Sequence, residues 1–126
     1  MRLGLIGLGR IGAFHAQTLT DLPVVESLVV SDAVPAVTAE VAGRIGAEPA
    51  QDPAALLAAG VDGVVVAAAT DAHPSLILAA VEAGLPVFCE KPVAATMAEG
   101  LEVRRRVEAT HHRRGNRLPV QLRRIR

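Results

Sequence analysis

The stretch Gly7-Leu8-Gly9-Arg10-Ile11-Gly12 limits what this chain can fold into more than any other. It follows the short apolar run Leu3-Gly4-Leu5-Ile6. It precedes Arg10 to Leu22, where Ile11, Phe14, Leu19 and Leu22 recur at roughly helical spacing. Glycines in this pattern between a strand and a helix each have a physical task. Gly7 permits a tight turn, Gly9 lets a pyrophosphate approach the backbone without meeting a Cβ, and Gly12 lets the helix pack closely on the strand. The helix N-terminus then offers unpaired N–H groups and partial positive charge to phosphates.

Asp32 stands twenty residues beyond Gly12, after the β-branched run Val24 to Val30 and Ser31. A carboxylate there can accept from both ribose hydroxyls of an adenosine and would repel a 2′-phosphate. The next arginine is Arg44. These residues favour NAD over NADP. The plain alternative is a glycine-rich turn with an unrelated capping aspartate. Strand, glycines, helix, strand and acid in register weigh against it.

The remaining chain alternates in the same way. Pro35 to Ile45 reads as a helix stopped at Gly46, Ala47 to Pro49 as a weak strand, and Asp52-Pro53 as the cap of a helix running to Ala59. Val61 to Ala69 holds the central strand Val64-Val65-Val66. Pro74 to Ala83 is a helix ended by Gly84, and Pro86 to Cys89 is the next strand. Thr96-Met97-Ala98-Glu99 has capping-box spacing and opens a last helix towards Ala109. Strands that are continuously apolar point to a parallel sheet covered on both faces. The expected fold class is α/β, a single domain with a doubly wound parallel sheet.

With 51% hydrophobic but only 2% aromatic residues, the core must be filled by alanine, valine and leucine. The lone Cys89 offers neither a disulfide framework nor a metal cluster, and a reduced cytoplasmic setting is the simplest reading. The opening residues resemble neither a signal peptide nor a membrane span. The adjacent His111 and His112 lack further ligands in sequence, so no metal is expected.

The zero formal net charge hides a division. Residues 1–103 carry four cations against twelve acids, a net of −8. Residues 104–126 carry nine arginines against Glu108, a net of +8. No aromatic residue interleaves those arginines to stack bases, so no nucleic-acid partner is expected. The expectation is an exposed helix end and a tail that contributes little to the fold, although Leu118-Pro119-Val120-Gln121 could supply one more strand.

Lys91 is the single lysine beside twelve arginines. It stands in Glu90-Lys91-Pro92, directly after an apolar strand. Ligands of open α/β sheets bind beyond the carboxyl ends of the strands. Glu90 and Lys91 lie at such an end, as do Ala69, Thr70 and Asp71. Lysine suits proton chemistry there because desolvation lowers its pKa, whereas arginine stays charged. The bland alternative is a surface Glu-Lys pair in a chain that prefers arginine.

Together, Gly7 to Gly12, Ala69-Thr70-Asp71-Ala72-His73, and Ala83 to Pro92 resemble the Gfo/Idh/MocA oxidoreductases, and most of all their inositol 2-dehydrogenase branch. The resemblance covers residues 1 to about 109. It implies a Rossmann-type cofactor domain and a nicotinamide-dependent dehydrogenase acting on a secondary alcohol of a sugar or cyclitol. By the same resemblance, Lys91 is the catalytic lysine, Glu90 orients it or the cofactor ribose, and Pro92 fixes the loop. Gly7, Gly9, Arg10, Ile11, Gly12 and Asp32 hold NAD. Ala69 and Thr70 line its site, and His73 supports their loop. His73 could equally be a helix-entry residue without chemistry.

Members of the family carry a second, substrate-binding α/β domain after the cofactor domain. The expected organisation is therefore an NAD-binding domain over 1–109 and an arginine-rich tail over 110–126, with the substrate domain absent. After Ala109 the residues Thr110-His111-His112-Arg113-Arg114-Gly115-Asn116-Arg117 depart from the family pattern, and the isolated chain is expected to be inactive. A truncated gene product, or a non-catalytic nucleotide-binding module that needs a partner, is the competing reading. A homo-oligomer stays open.

Overall fold

The computed structural model describes residues 1–90, 96–114 and 120–123. Its strands are β1 (Arg2–Ile6), β2 (Ser27–Ser31), β3 (Glu48–Pro49), β4 (Gly63–Val66), β5 (Val87–Glu90) and β6 (Val120–Arg123). The helices are α1 (Arg10–Thr20), α2 (Pro35–Ile45), α3 (Pro53–Leu57), α4 (His73–Glu82) and α5 (Met97–Arg114). The six strands lie in the order β3-β2-β1-β4-β5-β6, and every pairing is parallel. The expected α/β class and doubly wound sheet are both present.

The chain first winds outward from β1 to β3, then returns to β4 on the other flank of β1. Right-handed crossovers in opposite directions put α1 and α2 on one face and the later helices on the other. The strand residues sort accordingly, because successive side chains point to opposite faces. Leu5, Leu28 and Val30 pack with Ala16, Val41 and Ala42. Ile6, Val29, Val64, Val66, Val87 and Cys89 pack with Leu56, Ile77, Val81, Val103 and Val107. Among the described residues no helix is long and apolar enough to cross a membrane.

The start of β2 and the ends of α1 and α3, the last at Leu57 instead of Ala59, needed correction. The strand expected over Val24 to Val30 begins only at Ser27, where pairing with Arg2 becomes available. Val24 is instead exposed, and the Val25 N–H donates to the Leu22 carbonyl in a turn. Helix α1 stops at Thr20, two residues short of the expected end, with the Asp21 N–H bonded to the Gln17 carbonyl. Of the large apolar residues of α1, only Leu19 packs partly against the core. Gly12 and Ala16 face the sheet, while Ile11 and Phe14 are 50% and 65% exposed. The close approach demanded at the glycine turn selects the small face of the helix.

In the last part of the chain the helix outruns its expected end near Ala109, and the further strand that the sequence left open is present as β6. Helix α5 crosses residue 109 without a break and ends at Arg114. Val103, Val107 and Thr110 form its buried stripe, and the Thr110 hydroxyl lies 2.9 Å from Glu82 Oε1 at the end of α4. Strand β6 pairs along the whole of β5, from Val87↔Val120 to Glu90↔Arg123. An arginine-rich segment can therefore complete the sheet. β5 would otherwise present an edge of unpaired backbone groups.

Candidate functional site

Three turns meet at the carboxyl edge of the sheet, after β1, β2 and β4. The crossing between β2-β1 and β4 is the switch point at which open α/β sheets bind ligands. The Gly7 N–H donates to the Ser31 carbonyl at 2.8 Å, joining the β1 turn to β2. Gly7 has φ +99°, a conformation open to glycine and strained for other residues. A Cβ there would also strike the Ala68 nitrogen and lie 2.6 Å from the Ala67 carbonyl carbon, so the β1 turn rests on the β4 turn.

The other two glycines serve opposite ends. A Cβ on Gly12 would collide with the Gly7 carbonyl oxygen, which is backbone and cannot swing aside. On Gly9 a Cβ would meet nothing within 4 Å. Gly9 is the N-cap of α1, no side chain caps that helix, and its first turn has no acidic residue. The surface over Gly9 and the α1 N-terminus therefore suits a group that brings its own negative charge close to backbone. This is the fit required of a dinucleotide pyrophosphate.

Asp32 lies immediately after β2. Its Oδ1 accepts from the Leu8 N–H at 2.7 Å, and its Oδ2 accepts from the Val34 N–H at 3.0 Å. The carboxylate thus ties the glycine turn to the start of α2. Each oxygen keeps a lone pair for a further donor. Its own N–H donates to Thr38 Oγ1 on α2 at 2.9 Å.

The β4 turn carries Ala69 and opens a short 3-10 segment at Thr70. His73 begins α4 and is 2% exposed. Its Nε2 lies 2.7 Å from the Ala68 carbonyl oxygen, where a ring N–H donates. The imidazole is buried and anchors the turn that Gly7 touches. Glu90 ends β5 next to β4, at the same edge. Lys91 and Pro92 lie outside the described residues. Arg10 and Ile11 open α1, both exposed.

Gly7, Gly9, Arg10, Ile11, Gly12, Asp32, Ala69, Thr70 and His73 are thus gathered on three neighbouring turns. Sequence reasoning missed the Leu8 N–H, Thr38 and the contact of Gly7 with Ala67 and Ala68. A polar Thr38 on the apolar stripe of α2 was the one readable hint.

The Gfo/Idh/MocA model, an oxidoreductase family with an NAD-binding Rossmann fold, matches residues 1–116. The match passes beyond the expected limit near 109. The chain is 42% identical over 126 residues to inositol 2-dehydrogenase 1 of Saccharopolyspora erythraea, covering 90% of this chain and 37% of that protein. It is 32% identical over 113 residues to the scyllo-inositol 2-dehydrogenase (NAD(+)) of Bacillus subtilis, covering 87% and 33%. A Gfo/Idh/MocA family oxidoreductase from Vibrio cholerae superposes with a TM-score of 0.85 at 29% identity, covering 98% and 38%. The chain spans about a third of the length of these proteins. A glycine turn with room over Gly9, a carboxylate tied to it from β2, and a family match over most of the chain lead to one conclusion: this chain belongs to the Gfo/Idh/MocA oxidoreductases and carries their NAD-binding Rossmann fold.

Proposed function

We propose that the chain is the nucleotide-binding part of a cytoplasmic NAD-dependent dehydrogenase of the inositol 2-dehydrogenase type, acting on a secondary alcohol of a sugar or cyclitol. The dinucleotide-binding unit runs past residue 109 along α5, and the arginine-rich end of the chain carries the last strand. The observation that carries this reading is Asp32. Its carboxylate ends β2, is held against the glycine turn, and has acceptor capacity left for ribose hydroxyls.

The backbone of Gly7, Gly9, Arg10, Ile11 and Gly12 would cradle the pyrophosphate. Asp32 would bind the adenosine ribose. Ala69 and Thr70 would border the nicotinamide side, with His73 holding their turn. Glu90 and Pro92 would set the position of Lys91. NAD, when bound, supplies the hydride acceptor. Lys91 would bond the reacting hydroxyl and take its proton as the alcohol becomes a carbonyl. Names of relatives such as inositol 2-dehydrogenase support the substrate class.

Calorimetric titration of the chain with NAD and NADP tests the reading. NAD should bind more tightly, and Asp32→Asn should narrow the gap. Equal affinities in the unaltered chain would remove Asp32 from the ribose. Lys91 is tested in a fusion that continues the chain with the remaining two thirds of a relative. Oxidation of myo-inositol by that fusion should collapse with Lys91→Arg, which keeps the charge but removes an accessible neutral amine.

A further inference from the structure

Thr38 sits in the first turns of α2 and is 5% exposed. A buried hydroxyl needs a partner, and both bonds recorded for this one lead to the same residue. Thr38 Oγ1 accepts from the Asp32 N–H at 2.9 Å and is directed at the Asp32 carbonyl from 3.5 Å. It therefore grips the peptide groups on either side of the Asp32 Cα. Those groups set where the carboxylate points. The carboxylate in turn holds the Leu8 N–H at 2.7 Å. A line of contacts thus runs from α2 through Asp32 into the glycine turn.

We propose that Thr38 is a positioning residue. Through Asp32 it aims the ribose-binding carboxylate and presets the glycine turn for the pyrophosphate, so that the two halves of the nucleotide site are ordered together before ligand arrives. The proposal rests on the reading of Asp32 as the ribose acceptor. Thr38, almost fully buried, acts through Asp32 in this proposal. Its effect reaches the ligand through preorganisation, because a carboxylate already in place loses less freedom on binding. Discrimination against a 2′-phosphate depends on the same placement.

The test is Thr38→Val, which keeps the branched shape and removes the hydroxyl, beside Thr38→Ser, which keeps the hydroxyl. Two readouts are taken on the 126-residue chain: amide hydrogen exchange at Leu8 and Asp32 without ligand, and calorimetric affinities for NAD and NADP. The valine variant should exchange faster at both amides. Its NAD preference over NADP should shrink roughly threefold to tenfold, the span of one net hydrogen bond. The serine variant should match the unaltered chain in both. If the valine variant does not fold, Thr38→Ala supplies the same comparison.

Asp32→Asn, measured in parallel, separates two failures. If it leaves the NAD preference unchanged, the ribose reading of Asp32 falls and this proposal falls with it. If it abolishes the preference while the valine variant keeps both the preference and slow Leu8 exchange, only the role of Thr38 is overturned. A serine variant as impaired as the valine one would likewise overturn it, since general packing would then be the cause.

Discussion

The turn after β1 and the turn after β4 lie against each other, Gly7 resting on Ala67 and Ala68, yet they are held in different ways. The β1 turn is shaped by glycines that leave space or need a positive φ, and its N–H groups reach the Ser31 carbonyl and the Asp32 carboxylate. The β4 turn has no glycine; beside backbone bonds from Ala67 to Ile6 and from Ala72 to Ala69 it is anchored by a buried side chain. His73 reaches back from α4 to the Ala68 carbonyl from within the core. A turn shaped by glycines leaves a pattern in the sequence. A turn held by a buried side chain leaves one ambiguous letter.

The contrast can be broken most severely at Gly12. Gly12→Val should cost about 3 kcal/mol by forcing α1 away from the Gly7 carbonyl. NAD binding should disappear with it, as thermal unfolding and calorimetry would record. Retained stability would mean that α1 can slide and that Gly12 is not the close-packing point.

His73→Leu attacks the other turn. It keeps bulk but strands the Ala68 carbonyl, for a loss of about 1–3 kcal/mol. Amides at 67–72 should exchange faster, while the bond from Leu8 to Asp32 stays protected. Equal loosening of both turns would show that they form one mechanical unit rather than two.

Gly9→Ala sharpens the comparison within the glycine motif. Gly9 has φ −65° and open space beyond its Cα. The unliganded chain should therefore change by no more than about 0.5 kcal/mol. NAD affinity should nevertheless drop roughly tenfold or more, because the added methyl stands where pyrophosphate would meet the N–H groups. A stable variant with full affinity would place the pyrophosphate elsewhere.

The smallest effect is expected far from both turns, on the exposed face of α5. The hydrogen bond from Arg105 holds the Glu102 carboxyl below its ordinary value against desolvation, with attraction to Arg105 and Arg106 adding to the lowering. A depressed folded value means that the pair stabilises at pH above the unfolded carboxyl pKa. The contribution is lost as pH falls through the folded value. Because both groups are solvated, salt should move the Glu102 titration back towards normal in an NMR experiment. A titration indifferent to salt would contradict a screened surface pair.

Much of this molecule follows from local rules that act within a few residues. Pro35 and Pro53 start α2 and α3, Asp52 caps α3 by accepting from the Ala55 N–H, and Gly46 ends α2 with φ 73°. Such signals need no distant partner, and they suffice for the order of elements, the parallel sheet and the glycine cradle. Contacts between distant segments obey no local rule. Tertiary packing alone decided that α1 buries Gly12 and Ala16 instead of Ile11 and Phe14, because the β1 turn leaves no room for large side chains. It started β2 at Ser27, where Arg2 supplies a pairing partner, and drew Val120–Arg123 into the sheet beside β5. It also joined Thr38 to Asp32, Asp32 to Leu8 and His73 to Ala68. In each case the deciding group lies on another element, so its influence exists only once the strands and helices have come together.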